Sequence, residues 1–374
     1  MMTAERPLGL YIHIPFCKAK CAYCDFYSLA HSEAQMDAYC TALKGDLVRW
    51  ADAAKGYSVD TVYFGGGTPS YLGANRLKSL LETVLSHYHV AADAEITFEA
   101  NPDNARDIDA LKTLRSAGFN RISLGAQSFD DAELQEIGRI HTAGEIAQAV
   151  GAARAAGFDN LSLDLIYGLP RQTMARWREN LSAAIALVPE HLSCYGLKVE
   201  EGTPLYLRRE RAQLPDDDAQ ADFYLETVRF LAQHGYAQYE ISNFARPGFA
   251  SRHNLKYWTL GEYLGFGPGA HSDFGGRRFA VARDLSAYLA GKTVLSEDTA
   301  ISHRERQREY FLLGLRTVRG ICAAETDADF STAEAVLQEC AAHDLAEQDR
   351  GRWRLTPQGF LVSNAVISRV LDAI

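Results

Sequence analysis

Residues 11–26 read Tyr11-Ile-His-Ile-Pro-Phe-Cys17-Lys-Ala-Lys-Cys21-Ala-Tyr-Cys24-Asp-Phe26, an apolar β-rich run that feeds directly into three cysteines. Their spacing, CxxxCxxC, is that of a loop holding an iron–sulfur cluster. A four-iron cubane takes four thiolates when the protein supplies every ligand. Three leave one iron open to a non-protein ligand. A structural zinc loop is the competing reading, but zinc is usually held by four ligands arriving as two pairs, and no second CxxC or CxxH stands near the loop. Redox-active thiols are a third reading. Cys40, Cys194, Cys322 and Cys340 are scattered.

With 374 residues, 47% of them apolar, the chain can bury a large core, and the length predicts one large domain with a smaller one. Seven cysteines in so long a chain do not form a disulfide framework. A reducing, cytoplasmic setting suits a thiolate-held cluster. The residues before Cys17 are too short and too interrupted by His13 and prolines for a signal peptide or a membrane span. A formal charge of −10 argues against a nucleic-acid partner, which calls for a clustered basic face.

Outward from the cysteine loop, β-rich runs at 8–14, 59–64, 95–99, 121–126, 161–167 and 192–197 alternate with amphipathic stretches such as 76–87, 108–117 and 142–156. In the last, Thr142 and Glu145 stand at capping-box spacing. Strand and helix in this alternation predict an α/β fold, an open parallel (β/α)6 partial barrel. After residue 197 the rhythm breaks. The predicted division is a barrel over 1–235, an extension over 236–300 and a small α+β unit over 301–374.

Unusual residues gather at the C-terminal strand ends, the active face of such barrels. Gly65-Gly66-Gly67-Thr68-Pro69 follows the second strand. It lacks the Lys-Ser/Thr pair of a phosphate loop, and its glycines let backbone approach a ligand closely. Glu99 ends the third strand, Gln127 the fourth with Arg139 beyond it, and Asp164 lies on the fifth before Gly168-Leu169-Pro170. Any one alone reads as a strand-end hydrogen bond or a helix cap. Together they predict a shared ligand.

The cysteine spacing resembles the signature of the radical S-adenosylmethionine (SAM) superfamily, in which SAM chelates the open iron. Tyr11-x-His13-Ile-Pro-Phe-Cys17, the GGGTP turn, Glu99, the Gln127–Arg139 spacing and Asp164-Leu-Ile-Tyr-Gly-Leu-Pro170 resemble oxygen-independent coproporphyrinogen III oxidase and its relatives over almost the whole chain. The resemblance implies a 4Fe–4S cluster on Cys17, Cys21 and Cys24. It implies SAM contacts from Tyr11, Gly66, Gly67, Thr68, Glu99, Gln127, Arg139, Asp164 and Lys198, with one or two SAM molecules.

Two departures separate branches of that family. The oxidases carry a further cysteine where this chain has Phe26, and a longer arm than the residues preceding Cys17. The chain also has His253-Asn254-Leu-Lys-Tyr257-Trp258, an HNxxYW motif similar to that of the haem chaperones called HemW. This implies haem as cargo, acceptor haemoproteins as partners, and a chaperone rather than a decarboxylase. His253 offers an axial ligand, with His271 as a second candidate, and Tyr257 and Trp258 offer flat apolar faces. A packed core histidine is the alternative for His253. A homodimer and peripheral membrane association are compatible with the resemblance.

The segment from residue 303 changes character. Helical runs 304–315 and 332–343 precede a hairpin turning at Asp349-Arg350-Gly351, which resembles a winged helix. Residues 323–345 hold six carboxylates and no Lys or Arg, unlike a DNA-recognition helix. A packing or partner module that lids the barrel mouth is expected.

Overall fold

A computed structural model of the chain describes residues 5–30, 32–292 and 294–374. Six parallel strands form where the β-rich runs stand: β1 (Arg6–Ile14), β2 (Tyr57–Gly66), β3 (Val90–Ala100), β4 (Arg121–Gln127), β5 (Leu161–Tyr167) and β6 (His191–Gly196). Each is longer than, or within one residue of, the run read from sequence. Leu8, Leu10, Ile12 and Ile14 of β1 point outward under the helices and are fully buried. The alternate residues face the barrel interior, as a period of two requires.

The helices between them cover the convex face. Met36–Trp50, Ala74–His87, Ile108–Ala117, Ala143–Ala155 and Met174–Ala186 follow successive strands. The box at Thr142 forms, with the Glu145 carboxylate accepting from the Thr142 amide at 2.9 Å. Asp107 caps Ile108–Ala117 by accepting from the amides of Asp109 and Ala110, a contact worth about 1 kcal/mol.

The sheet does not stop at six parallel strands. A seventh, β7 (Tyr263–Phe266), lies parallel to β1 with Gly9 opposite Tyr263 and Ile12 opposite Phe266. The parallel order is β7-β1-β2-β3-β4-β5-β6. Sequence reading missed β7 because it is only four residues long and is not preceded by a long amphipathic helix. Antiparallel strands extend both flanks. Asn243–Ala245 and Ala237–Glu240 add to β6, while His271–Phe274, Arg277–Val281 and Leu295–Ala300 add beyond β7, giving twelve strands in one sheet among the described residues. Residues 236–300 are thus woven into both edges of the barrel sheet.

The C-terminal unit consists of helices His303–Gly314 and Phe330–Ala341, the hairpin Ala346–Asp349 and Arg352–Leu355, and two further helices, Pro357–Leu361 and Ser363–Ala373. Its buried residues, such as Phe311, Leu337 and Val370, join the same apolar core as the barrel. It docks through Ile241 and Val318, whose amides donate to the carbonyls of Arg316 and Tyr239 at 3.1 Å each. Among the described residues, no helix is long and apolar enough to cross a membrane.

Candidate functional site

A cavity of about 450 Å³ opens at the C-terminal ends of the strands. Its walls come from the cysteine loop, the turn after β2 and the ends of β3 to β6, with Glu200 the last lining residue in the chain. The C-terminal unit therefore does not lid the mouth. It packs lower, against residues 239–241 and the helix Arg252–Trp258.

Cys17, Cys21 and Cys24 all line this cavity. Cys17 sits in a two-residue ribbon, Phe16–Cys17 beside Leu29–Ala30, that carries the chain out of β1. All three are free thiols. Thr68 Oγ1 donates to Cys17 Sγ at 3.5 Å, and Arg139 Nη1 lies 3.4 Å from Cys21 Sγ. Burial pushes the Cys17 and Cys24 thiols up. Among the described residues, no three Cys, His, Asp or Glu side chains converge on a point one ion could occupy.

The turn after β2 fits against the end of β1 because Gly66 has φ 108° and no side chain. A Cβ there would come within 2.5 Å of the His13 ring. Glu99, at the end of β3, is held from two sides: Tyr63 donates to Oε1 at 2.8 Å and the Gly66 amide to Oε2 at 3.2 Å. Burial pushes its carboxyl up to about 7 against those hydrogen bonds. Arg139 is half-buried, donating to Asn101 Oδ1 at 2.7 Å and to the Gly125 carbonyl at 2.5 Å. Asp164 receives the Ser123 hydroxyl at 3.2 Å, and burial raises its carboxyl too.

Gly66, Gly67, Thr68, Glu99, Gln127, Arg139, Asp164 and Lys198 all line the cavity. Gln127 does so from a left-handed backbone, φ 66°. Lys198 stands on the outer rim, exposed and paired with Glu200. Tyr11 does not line the cavity. It lies one layer below, its hydroxyl 3.1 Å from His13 Nδ1 and its ring stacked over Tyr63. Sequence reading passed over Asn101, Ser123, Tyr195 and Tyr23, which also line it. Asn101 and Ser123 carried a usable signal, being polar residues on or just past strands whose ends were already marked.

The HNxxYW motif lies at the opposite end of the barrel. Helix Arg252–Trp258 plugs the floor, anchored by Glu95, whose carboxylate accepts from the amides of Arg252 and His253 at 3.1 Å each. His253 is 1% exposed. Its Nδ1 lies 2.8 Å from Thr61 Oγ1 and its Nε2 2.9 Å from the Tyr257 hydroxyl. Burial pushes its pKa down to about 3, keeping it neutral. Both nitrogens are engaged, so the geometry is that of a packed core histidine and not of an open axial ligand. Tyr257 packs edge-on against Tyr263 at 4.7 Å. The Asn254 amide is capped by Ser251 Oγ. Trp258 reaches outward to a second cavity of about 270 Å³, shared with Tyr310, Arg319 and Glu325 of the C-terminal unit. His271 is exposed in the added antiparallel strand.

Comparison with known proteins agrees with this geometry. Residues 11–184 match the radical SAM superfamily and residues 301–362 the HemN C-terminal domain. The chain is 35% identical to "Heme chaperone HemW" of Bacillus subtilis (strain 168) over 96% of this chain and 98% of that one. It is 37% identical to the protein of that name from Escherichia coli (strain K12), over 99% and 100%. A solved structure of coproporphyrinogen III oxidase (HemN) from Escherichia coli, described as a radical SAM enzyme, superposes with a TM-score of 0.86 at 27% identity, over 99% of this chain and 91% of that one. The radical SAM fold implies a 4Fe–4S cluster and SAM. With full-length similarity to HemW proteins from several bacteria and both domains in register, the chain belongs to the HemW family of radical SAM proteins.

Proposed function

We propose that this protein is a haem chaperone that binds haem and transfers it to acceptor haemoproteins. In this reading Cys17, Cys21 and Cys24 supply all the protein thiolates of one 4Fe–4S cluster. SAM occupies the cavity beside it, exchangeably. Glu99 and Asp164 accept hydrogen bonds from its hydroxyls, and the half-buried Arg139 guanidinium favours its carboxylate. When bound, the cluster supplies an electron to SAM; the chain's own residues orient SAM and exclude water.

The observation that carries the chaperone reading is full-length similarity to proteins named haem chaperones, at higher identity than to the oxidase. Phe26 supports it, standing 69% exposed at the cavity wall where the oxidases place a cysteine. The motif residues contribute unequally. His253, Asn254 and Tyr257 hold the barrel floor, and Trp258 offers an aromatic face to haem beside Tyr310. Arg319, now paired with Glu325, can exchange that carboxylate for a haem propionate.

The decarboxylating oxidase is the second reading, supported by the close superposition on HemN. Haem titration of the anaerobically reconstituted protein, beside an assay of coproporphyrinogen III conversion, separates the two. Haem binding, transfer to an apo-haemoprotein and no conversion are expected. Sustained conversion with SAM and reductant, or no haem binding, overturns the chaperone reading.

A further inference from the structure

Tyr63 contributes nothing to the cavity wall, yet it holds the carboxylate that does. Its hydroxyl donates to Glu99 Oε1 at 2.8 Å. Its ring is clamped below by His253, 5.2 Å away at 21°, and by Tyr11, 6.3 Å away at 24°. A tyrosine so fixed by stacking on two neighbours presents its hydroxyl in one place. Glu99 is held at that oxygen, and its remaining lone pairs are directed at the cavity.

We propose that Tyr63 is a positioning residue for SAM: clamped on the HNxxYW histidine, it orients Glu99 toward the SAM hydroxyls. This rests on the placement of SAM given above. Glu99 faces a set of groups from every surrounding element. They are Tyr11 on β1, Tyr63 on β2, Arg121 on β4, Asp164 on β5, Tyr195 on β6 and Tyr257 from the floor helix. Asp164 raises its carboxyl, while Arg121 and the Tyr63 hydrogen bond lower it. Without the Tyr63 hydroxyl, Glu99 takes up a proton at higher pH and no longer accepts from SAM as a carboxylate.

Calorimetric titration of SAM into cluster-reconstituted protein across pH 6 to 9 (roughly the span around an unusually high carboxyl) tests this. Tyr63→Phe keeps the ring that packs on His253. It should weaken SAM about tenfold near neutral pH, the equivalent of one hydrogen bond. It should also move the midpoint of the affinity profile to higher pH, and affinity should recover in alkali. A purely structural role for Tyr63 would not move that midpoint. Unchanged affinity and midpoint in Tyr63→Phe, with Glu99→Gln weakened, overturn the role of Tyr63 alone. If Glu99→Gln also binds SAM as the wild type does, the SAM placement falls with it.

Discussion

The Tyr257 hydroxyl lies 2.9 Å from Nε2 of His253, four residues earlier on the same helix, and closes off the ring nitrogen that a haem iron would need. His253→Ala removes two hydrogen bonds and a buried ring. It should destabilise the protein by about 2 to 4 kcal/mol. The visible spectrum of bound haem should stay unchanged, since axial ligand identity sets that spectrum. A shifted spectrum with stability intact would make His253 a ligand.

Trp258→Ala should weaken haem binding without unfolding the chain, because the indole sits at a solvent-open cavity rather than in the core. Loss of the aromatic face costs about 0.5 to 1.5 kcal/mol beyond area burial. Haem titration of this variant beside the wild type measures it. Equal affinities would remove the second cavity from the haem site.

Replacing Cys17, Cys21 or Cys24 by Ala should abolish the visible absorption of the reconstituted cluster. A triple variant of Cys40, Cys194 and Cys322 to Ala should keep it, since Cys40 and Cys194 are buried in the apolar core and Cys322 lies in the C-terminal unit. Retention of four irons per chain in Cys21→Ala would refute the three-cysteine assignment.

Glu99→Ala and Asp164→Ala should each weaken SAM by roughly tenfold to a hundredfold, the loss of a charge-assisted hydrogen bond of about 1.5 to 3 kcal/mol. Gly66→Ala should impair the same binding by another route. Its Cβ would meet the His13 ring at 2.5 Å on a backbone with φ 108°, a strain of about 1 to 3 kcal/mol. Calorimetry on the three variants, with iron content as control, checks both statements.

Acid should destabilise the fold in a definite window. Burial lowers His13 and His141 to about 4 and His253 to about 3. Below the ordinary histidine value of about 6.5 the unfolded chain binds these protons and the native one does not. Stability should therefore fall as pH drops from there toward 4. Glu99 and Glu240, raised to about 7 by burial, act the opposite way between about 4.3 and 7. His191, also lowered by burial, adds to the histidine side, and Asp46 and Asp164, raised by burial, add to the acid side. The arginine-paired carboxyls of Glu226, Asp273 and Glu325, held below their ordinary values, tip the balance toward loss of stability in acid. Urea midpoints measured across this range check the sign.

The six parallel strands through β6 and the rim at Gly66, Glu99, Arg139 and Asp164 were legible because β-rich runs and strand-end polarity are local signals. β7 was not legible, since its four residues acquire meaning only by pairing with β1. The HNxxYW motif shows the other limit. Its residue types suit a porphyrin, but whether a histidine faces solvent or a threonine hydroxyl is decided by Thr61 and Glu95, distant in sequence. Tyr11 was misplaced by one layer for a similar reason: sequence gives the face of a strand more readily than the depth along it.

The pairing of β1 with β7 also governs how the chain can be made. β1 emerges from the ribosome long before β7, with one edge unpaired, and the Gly9 amide waits for the carbonyl of Glu262. Until then the nascent barrel exposes a strand edge rich in Leu and Ile, the kind of template that recruits other chains. Synthesis at about 5 to 20 residues per second leaves that edge open for many seconds. A nascent chain arrested before Tyr263 should therefore aggregate or hold a holdase, and one released after Phe266 should not.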